Sequence, residues 1–242
     1  MPVRIHLQRC SFQDDLPFSN PSHNQEHIMT IGIIGSGALG SGIARILASK
    51  GISAIISNSR GPESLASLVK ELGESIKAGT VEEAARADIV FAAVRWVDAE
   101  KVLRSLPAWE GRIVIDATNP VEFIAPDSPD AKDPTNPLAA YGIKAVDLHG
   151  KYSSEIFRQF VPGARVVKAF NHLDANVFSA PDVAGGKRVL FYSGDDAAAK
   201  AEVRKIIEDT GFVPVDLGTL DMGGPLASLP FGSLAAQNFI RV

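Results

Sequence analysis

The ten residues Ile31-Gly-Ile-Ile-Gly-Ser-Gly-Ala-Leu-Gly40 constrain the fold more than any others, because an apolar strand runs there directly into G-x-G-x-x-G. The strand spans 30–34. A helix over about 41–49 follows, marked by the stripe Ile43, Ile46 and Leu47, and a second apolar strand over 52–57 completes a βαβ unit. In such a unit Gly35 permits the tight turn, Gly37 leaves room for a pyrophosphate against the backbone, and Gly40 lets the helix pack closely on the sheet. The helix points its free N–H groups and positive dipole end at the phosphates. The pattern predicts a dinucleotide site.

The second strand ends in Ser57-Asn-Ser-Arg60, where NAD sites carry Asp or Glu. A carboxylate there accepts from the ribose 2′-OH and repels a 2′-phosphate. Arg60 can instead pair with that phosphate bidentately, and Asn58 and Ser59 can donate to it. The expected cofactor is NADP rather than NAD.

The chain has 242 residues, 45% apolar, enough for one good-sized core. Its net charge is −4 with no basic cluster, which argues against a nucleic-acid partner. The single cysteine, Cys10, excludes an internal disulfide and a Cys-rich metal site, and it fits a reducing, cytoplasmic setting. No apolar run approaches the roughly 18 residues of a membrane span. Residues 1–28 show neither period and no apolar h-region, so they read as a disordered extension ahead of Met29. Asp14, Asp15 and Glu26 speak against a transit peptide, and His6, His23 and His27 read as disordered side chains rather than metal ligands. Residues 29–242 are expected to form one dinucleotide-binding domain with a cap from about 220.

Downstream, helices and strands alternate. Gly61-Pro62-Glu63 opens a helix to about Leu72, 75–78 is a short strand, and Thr80-Val-Glu-Glu83 is a capping box. Residues 88–94 and 112–116 read as central strands. The proline-rich stretch 120–137 reads as a long loop. A helix over 153–160, strands over 164–169 and 188–192, a helix from Asp196 to about Thr210 and a strand over 212–217 follow. Leu226, Leu229, Leu234 and Phe239 suggest one short helical cap in the tail. This alternation predicts an α/β fold, a doubly wound and mostly parallel Rossmann sheet, with ligands at the carboxyl ends of its strands.

The motifs Gly35-Ser-Gly-Ala-Leu-Gly40, Ser57-Asn-Ser-Arg60, Val94-Arg-Trp96, Asp116-Ala-Thr-Asn-Pro120, Val167-Lys-Ala-Phe-Asn171 and Tyr192-Ser-Gly-Asp-Asp196, in this order, resemble the NADPH:coenzyme F420 oxidoreductase family. They are also similar to the cytosolic reductase domain of STEAP-type metalloreductases. The resemblance runs from about Met29 onward. It implies that Ser36, Gly37, Ala38 and Leu39 cradle the pyrophosphate and that Ser59 and Arg60 hold the 2′-phosphate. It places Val94, beside Arg95, near the adenosine or linker, and Asn119 and Pro120 by the nicotinamide. Ala175 would close the pocket, while Phe170, Asn171 and His172 would face the nicotinamide and the acceptor. Deazaflavin-reducing members carry His and Pro where this chain has Asn171 and Asp174, and Lys168-Ala-Phe-Asn171 is nearer the STEAP-like version.

The implied activity is hydride transfer between NADP(H) and a flavin (FMN or FAD) or deazaflavin such as coenzyme F420. Such transfer needs two rings held about 3–3.5 Å apart and little acid–base help. No catalytic dyad is evident. Asn171 and His172 are the catalytic candidates, His172 being equally readable as a packing residue, and Trp96 reads as packing. Lys151 and Tyr152 are adjacent, not four apart on a helix face, and so do not form a short-chain-reductase pair. Hydroxyacid or imine dehydrogenases need a large helical C-terminal domain, for which too little chain follows 217. A quinone or ferric-chelate reductase, or a non-catalytic NADP-sensing module, is the alternative, and the apolar tail could mediate a homodimer.

Overall fold

The structure, a computed structural model, describes residues 29–242. The readings of residues 1–28, with Cys10 and His6, His23 and His27, lie outside the described residues. In chain order the elements are β1 Ile31–Ile34, α1 Ala38–Ser49, β2 Ala54–Ser57, α2 Ala66–Leu72, β3 Ile76–Ala78, α3 Val81–Ala85, β4 Ile89–Ala92, α4 Trp96–Arg104, β5 Ile113–Asp116, β6 Val121–Phe123, β7 Ile143–Ala145, α5 Ser153–Phe160, β8 Arg165–Ala169, β9 Asp182–Val183, β10 Gly186–Gly194, α6 Ala197–Asp209, β11 Val213–Asp216, α7 Leu220–Ala227 and β12 Ile240–Arg241.

The main sheet runs β11-β10-β8-β5-β4-β1-β2-β3. From β3 to β8 every pairing is parallel. β10 turns antiparallel against β8, and β11 lies parallel to β10. The reason is the connection. A parallel return needs a crossover of a dozen or more residues, usually helical, whereas 170–185 holds only a 3₁₀ turn, Ala175–Val177, and the two-residue β9.

β1, β4 and β5 are buried along their whole length, as interior parallel strands with helices on both faces must be. Alternation sorts their side chains into two cores. Ile33, Phe91, Ile115 and Val167 join α1 and α6 on one face, and Ile34, Val90, Val114 and Val166 join α4 and α5 on the other. Each such side chain contributes about 1.5–3 kcal/mol by burial. Thr80 and Glu83 form the expected capping box: Thr80 Oγ1 accepts the Glu83 N–H at 3.1 Å, and Glu83 Oε2 accepts the Thr80 N–H at 2.8 Å.

Two expectations need correction. The stretch after Pro120 is not structureless: Val121–Phe123 pairs antiparallel with Ile143–Ala145, so 124–142 is the loop of a hairpin. The tail is not a single helical cap either. α7 is followed by turns over 228–236, and then β12 pairs with the first part of β10. Among the described residues no helix is long and apolar enough to cross a membrane.

Candidate functional site

The carboxyl ends of β1, β2, β4, β5 and β8 share one edge of the sheet, and the predicted site residues gather there. At β1 the three glycines answer to different demands. A Cβ on Gly35, whose φ is +110°, would stand 2.2 Å from Ala93 O, and one on Gly40 would stand 2.0 Å from Gly35 O. The chain itself forbids both. A Cβ on Gly37 would meet nothing within 4 Å. No protein atom requires that glycine, so the open cradle fits a group from outside the protein. Helix α1 begins at Ala38 rather than Ser41, because the extended backbone of Gly37 (φ −69°, ψ −171°) is already its N-cap, and no side chain caps it. Ser36, Ala38 and Leu39 therefore surround an uncapped helix N-terminus, as a pyrophosphate requires.

At the end of β2, Ser59 and Arg60 are exposed, and among the described residues the Arg60 guanidinium has no hydrogen-bond or ion-pair partner. Asn58 is different from expectation. Its Nδ2 donates to Ser36 Oγ and to Ser64 Oγ, both at 3.0 Å, and its Oδ1 accepts the Arg60 N–H at 2.9 Å. Its amide hydrogens are committed within the protein, so it ties the glycine turn to the Arg60 loop instead of offering donors to a phosphate. At the end of β4, Val94 is half-buried, while Arg95 is turned to Asp98, its Nε donating at 2.8 Å. That pairing leaves Arg95 a poor ligand candidate. Trp96 packs against Phe160, as expected.

The ends of β5 and β8 are joined by buried polar contacts. Lys168 Nζ donates to Asp116 Oδ2 at 2.9 Å and to Thr118 O at 3.0 Å; the two charged side chains are 1% and 0% exposed. Asn119 Nδ2 donates to Asn171 O at 2.7 Å, and Asn119 Oδ1 accepts from Asn171 Nδ2 at 3.0 Å and from the Leu229 N–H at 2.9 Å. Asn171 Nδ2 also donates to Ala227 O at 2.8 Å.

Three predicted residues therefore do not face a nicotinamide or an acceptor. Asn171 is buried beneath the chain that follows α7. Phe170 has a left-handed backbone, φ +65°, which swings its ring into the α1-side core between Phe91 and Phe178. His172 is 1% exposed, lies 5.0 Å from the Phe191 ring, and neither ring nitrogen finds a hydrogen bond among the described residues. Burial pushes its pKa down to about 4, so the ring is neutral at pH 7. Ala175 packs over α1 at Gly42 instead of over the glycine turn: a Cβ on Gly42 would lie 3.1 Å from Ala175 O.

Beside Pro120 opens a cleft of about 460 Å³, walled by Tyr152, Ser153, Pro225, Leu229, Pro230 and Phe231, with Asp147 and Lys151 at its polar side. Tyr152 and Phe231 are exposed. Sequence reasoning identified Pro120 but missed the other walls. Those before and after α5 come from segments more than 70 positions apart that carry no shared motif (Ser153 and Ser228 are 75 apart), and only the exposed aromatics flanking prolines could have drawn attention to them.

An open glycine cradle, a free arginine one strand away and a cleft at the next strand ends define a dinucleotide-binding α/β protein of the NADP-dependent oxidoreductase class. Residues 30–120 match the model of the family described as NADP oxidoreductase, coenzyme F420-dependent. The rat metalloreductase STEAP3 is 27% identical over 202 residues, 83% of this chain and 36% of its own, so the chain spans about a third of that relative's length. The solved structure of a hypothetical protein from Sinorhizobium meliloti is 40% identical, with a TM-score of 0.77 over 89% of this chain and 97% of the other. A protein from Arthrobacter sp. whose name proposes an F420-dependent NADP-reductase is 25% identical, with a TM-score of 0.59 over 80% of this chain and 86% of the other.

Proposed function

We propose that this chain is an NADPH-dependent reductase whose electron acceptor is a flavin or deazaflavin ring seated in the cleft beside Pro120. Ser59 and Arg60 would hold the 2′-phosphate, and the backbone of Ser36, Gly37, Ala38 and Leu39 would hold the pyrophosphate. NADPH, when bound, supplies a hydride from its nicotinamide ring to the acceptor. The observation that carries the reading is adjacency: Pro120, four residues past the end of β5 in the nucleotide sheet, is itself a wall of the cleft.

The chain's own groups bind and orient. Tyr152, Pro230 and Phe231 offer flat apolar walls for a ring, and Lys151 and Asp147 offer polar contacts at the edge. His172 and Asn171, sealed beneath 227–236, cannot exchange protons with a ligand in the open cleft. Hydride transfer to a flavin-type ring proceeds without such a pair, any proton coming from water.

The test is NADPH oxidation by the purified protein with FMN, FAD, a deazaflavin, a quinone or a ferric chelate, each with NADH beside it. Turnover with a flavin or deazaflavin and a preference for NADPH supports the reading. A preference for NADH would overturn the role of Arg60. Tight NADPH binding with no turnover on any acceptor would favour a sensing module. Turnover with the ferric chelate alone would favour metal reduction, the chemistry named for the rat relative.

A further inference from the structure

We propose that Lys168 is a positioning residue for the acceptor cleft, an inference that rests on reading that cleft as the acceptor site. Lys168 stands directly opposite Asp116 in the β5–β8 register. Asp116 Oδ1 accepts both the Thr118 N–H at 3.0 Å and the Thr118 Oγ1–H at 2.6 Å, and Lys168 Nζ takes Asp116 Oδ2 and Thr118 O. The exit of β5 is thus held from both sides by one buried ion pair.

What that exit carries decides the role. The next residue, Asn119, is bonded to Asn171 and to the Leu229 N–H, and Asn171 reaches Ala227 O. Pro120 and Leu229, at the two ends of this chain of contacts, are both cleft walls. A second contact leads the same way. A Cβ on Gly224 would stand 3.7 Å from Lys168 Cδ, so α7, whose Pro225 lines the cleft, rests on the lysine stem. Lys168 itself, 1% exposed, does not reach the cleft. An apolar pair could pack these two strand positions without desolvating two charges. It could not direct Thr118 and, through it, Asn119. The geometry assigns the ion pair to holding the walls in register.

The test compares wild type with the neutral double variant Lys168→Met/Asp116→Asn and with Thr118→Val, which keeps the ion pair and removes one link. Measured are NADPH affinity, steady-state kinetics with FMN and amide exchange over 228–236. For the double variant the expected result is an NADPH Kd within about twofold of wild type, a KM for FMN raised about tenfold and kcat changed less than about threefold. Amide exchange over 228–236 should quicken by about tenfold. Thr118→Val should raise the KM about threefold and decides the matter if the double variant does not fold. A KM and an exchange rate at wild-type values in the folded variants would overturn the proposal. If wild type turns over no acceptor, the cleft reading fails and the positioning role fails with it, while exchange alone still reports whether the ion pair holds 228–236.

Discussion

At one end of the sheet's carboxyl edge, around β1 and β2, polar groups point outward and are left free: the uncapped start of α1, the space over Gly37, the exposed Ser59 and the unpaired guanidinium of Arg60. At the other end, around β5 and β8, Asp116, Thr118 and Lys168 are buried and bonded to one another, and Asn171 is buried and bonded to Asn119 and Ala227. The first end leaves backbone N–H groups and a cation open, where under the proposed reading the pyrophosphate and the 2′-phosphate of the cofactor would sit. The second is scaffold, on which α5, α7 and the chain after α7 mount the walls of a cleft. The family match covers 30–120, which includes β5 and its exit but not β8, α5, α7 or the chain after α7. Under the proposed reading the first end would serve the cofactor, and acceptor choice would reside in what the second end carries.

The sharpest way to break this contrast is to uncouple the second end. Lys168→Met alone leaves Asp116 charged, 0% exposed and without its cation, and should cost about 3–5 kcal/mol of stability. Thermal unfolding checks this, with a fall of roughly 2–4 °C per kcal/mol for a chain of this size. A fall of only a degree or two would show that water reaches the pair.

Acid should act on the same end. The folded pKa of His172 lies near 4, below its ordinary 6.5, so between those values the unfolded chain binds more protons than the folded one. The contribution of the neutral ring is fully present above pH 6.5 and is lost as pH falls toward 4, by about 3 kcal/mol. Urea unfolding of wild type and His172→Phe across this window should show the slope in wild type and its loss in the variant.

The difference between the two ends also explains what the sequence could disclose. Gly35, Gly37, Gly40, Arg60 and the Thr80–Glu83 cap act within a few positions of one another or at a fixed offset along a βαβ unit, and local patterns report such relations. Asn119 meets Leu229 across 110 positions, and Lys168 meets Asp116 across 52. No period links such pairs, so Lys168 read only as part of a family motif, and Asn171 read as facing the cofactor when its amide bonds are turned inward. Phe170 was illegible for another reason: its φ of +65° breaks the strand alternation that would have placed its ring.

Within the first end, the glycines separate folding from binding. Gly40→Ala puts a Cβ 2.0 Å from Gly35 O and should cost about 1–3 kcal/mol in stability, with NADPH binding weakened as the turn shifts. Gly37→Ala meets no protein atom within 4 Å at a φ of −69° that alanine accepts. Its stability should stay within about 0.5 kcal/mol of wild type while NADPH affinity falls about tenfold. Calorimetric unfolding and binding on both variants test this. Equal effects on both quantities in both variants would mean that the space over Gly37 has no ligand to receive.

The smallest expected effects separate two arginines that the sequence grouped together. Arg60 has no partner to lose among the described residues, so Arg60→Ala should leave the unfolding temperature unchanged. It should cost about 1.5–3 kcal/mol in NADPH binding, the worth of hydrogen bonds to a charged group, and nothing in NADH binding. Arg95 is already bonded to Asp98 at the exposed start of α4, and that pair contributes at most about 1 kcal/mol. Arg95→Ala should thus shift NADPH affinity by less than about threefold, a change within the worth of such a surface contact. Titrations of both variants with both dinucleotides decide it. An Arg95→Ala loss equal to that of Arg60→Ala would mean that Arg95 leaves Asp98 for the ligand, and the free, ligand-facing end of the sheet would then extend one strand further, to β4.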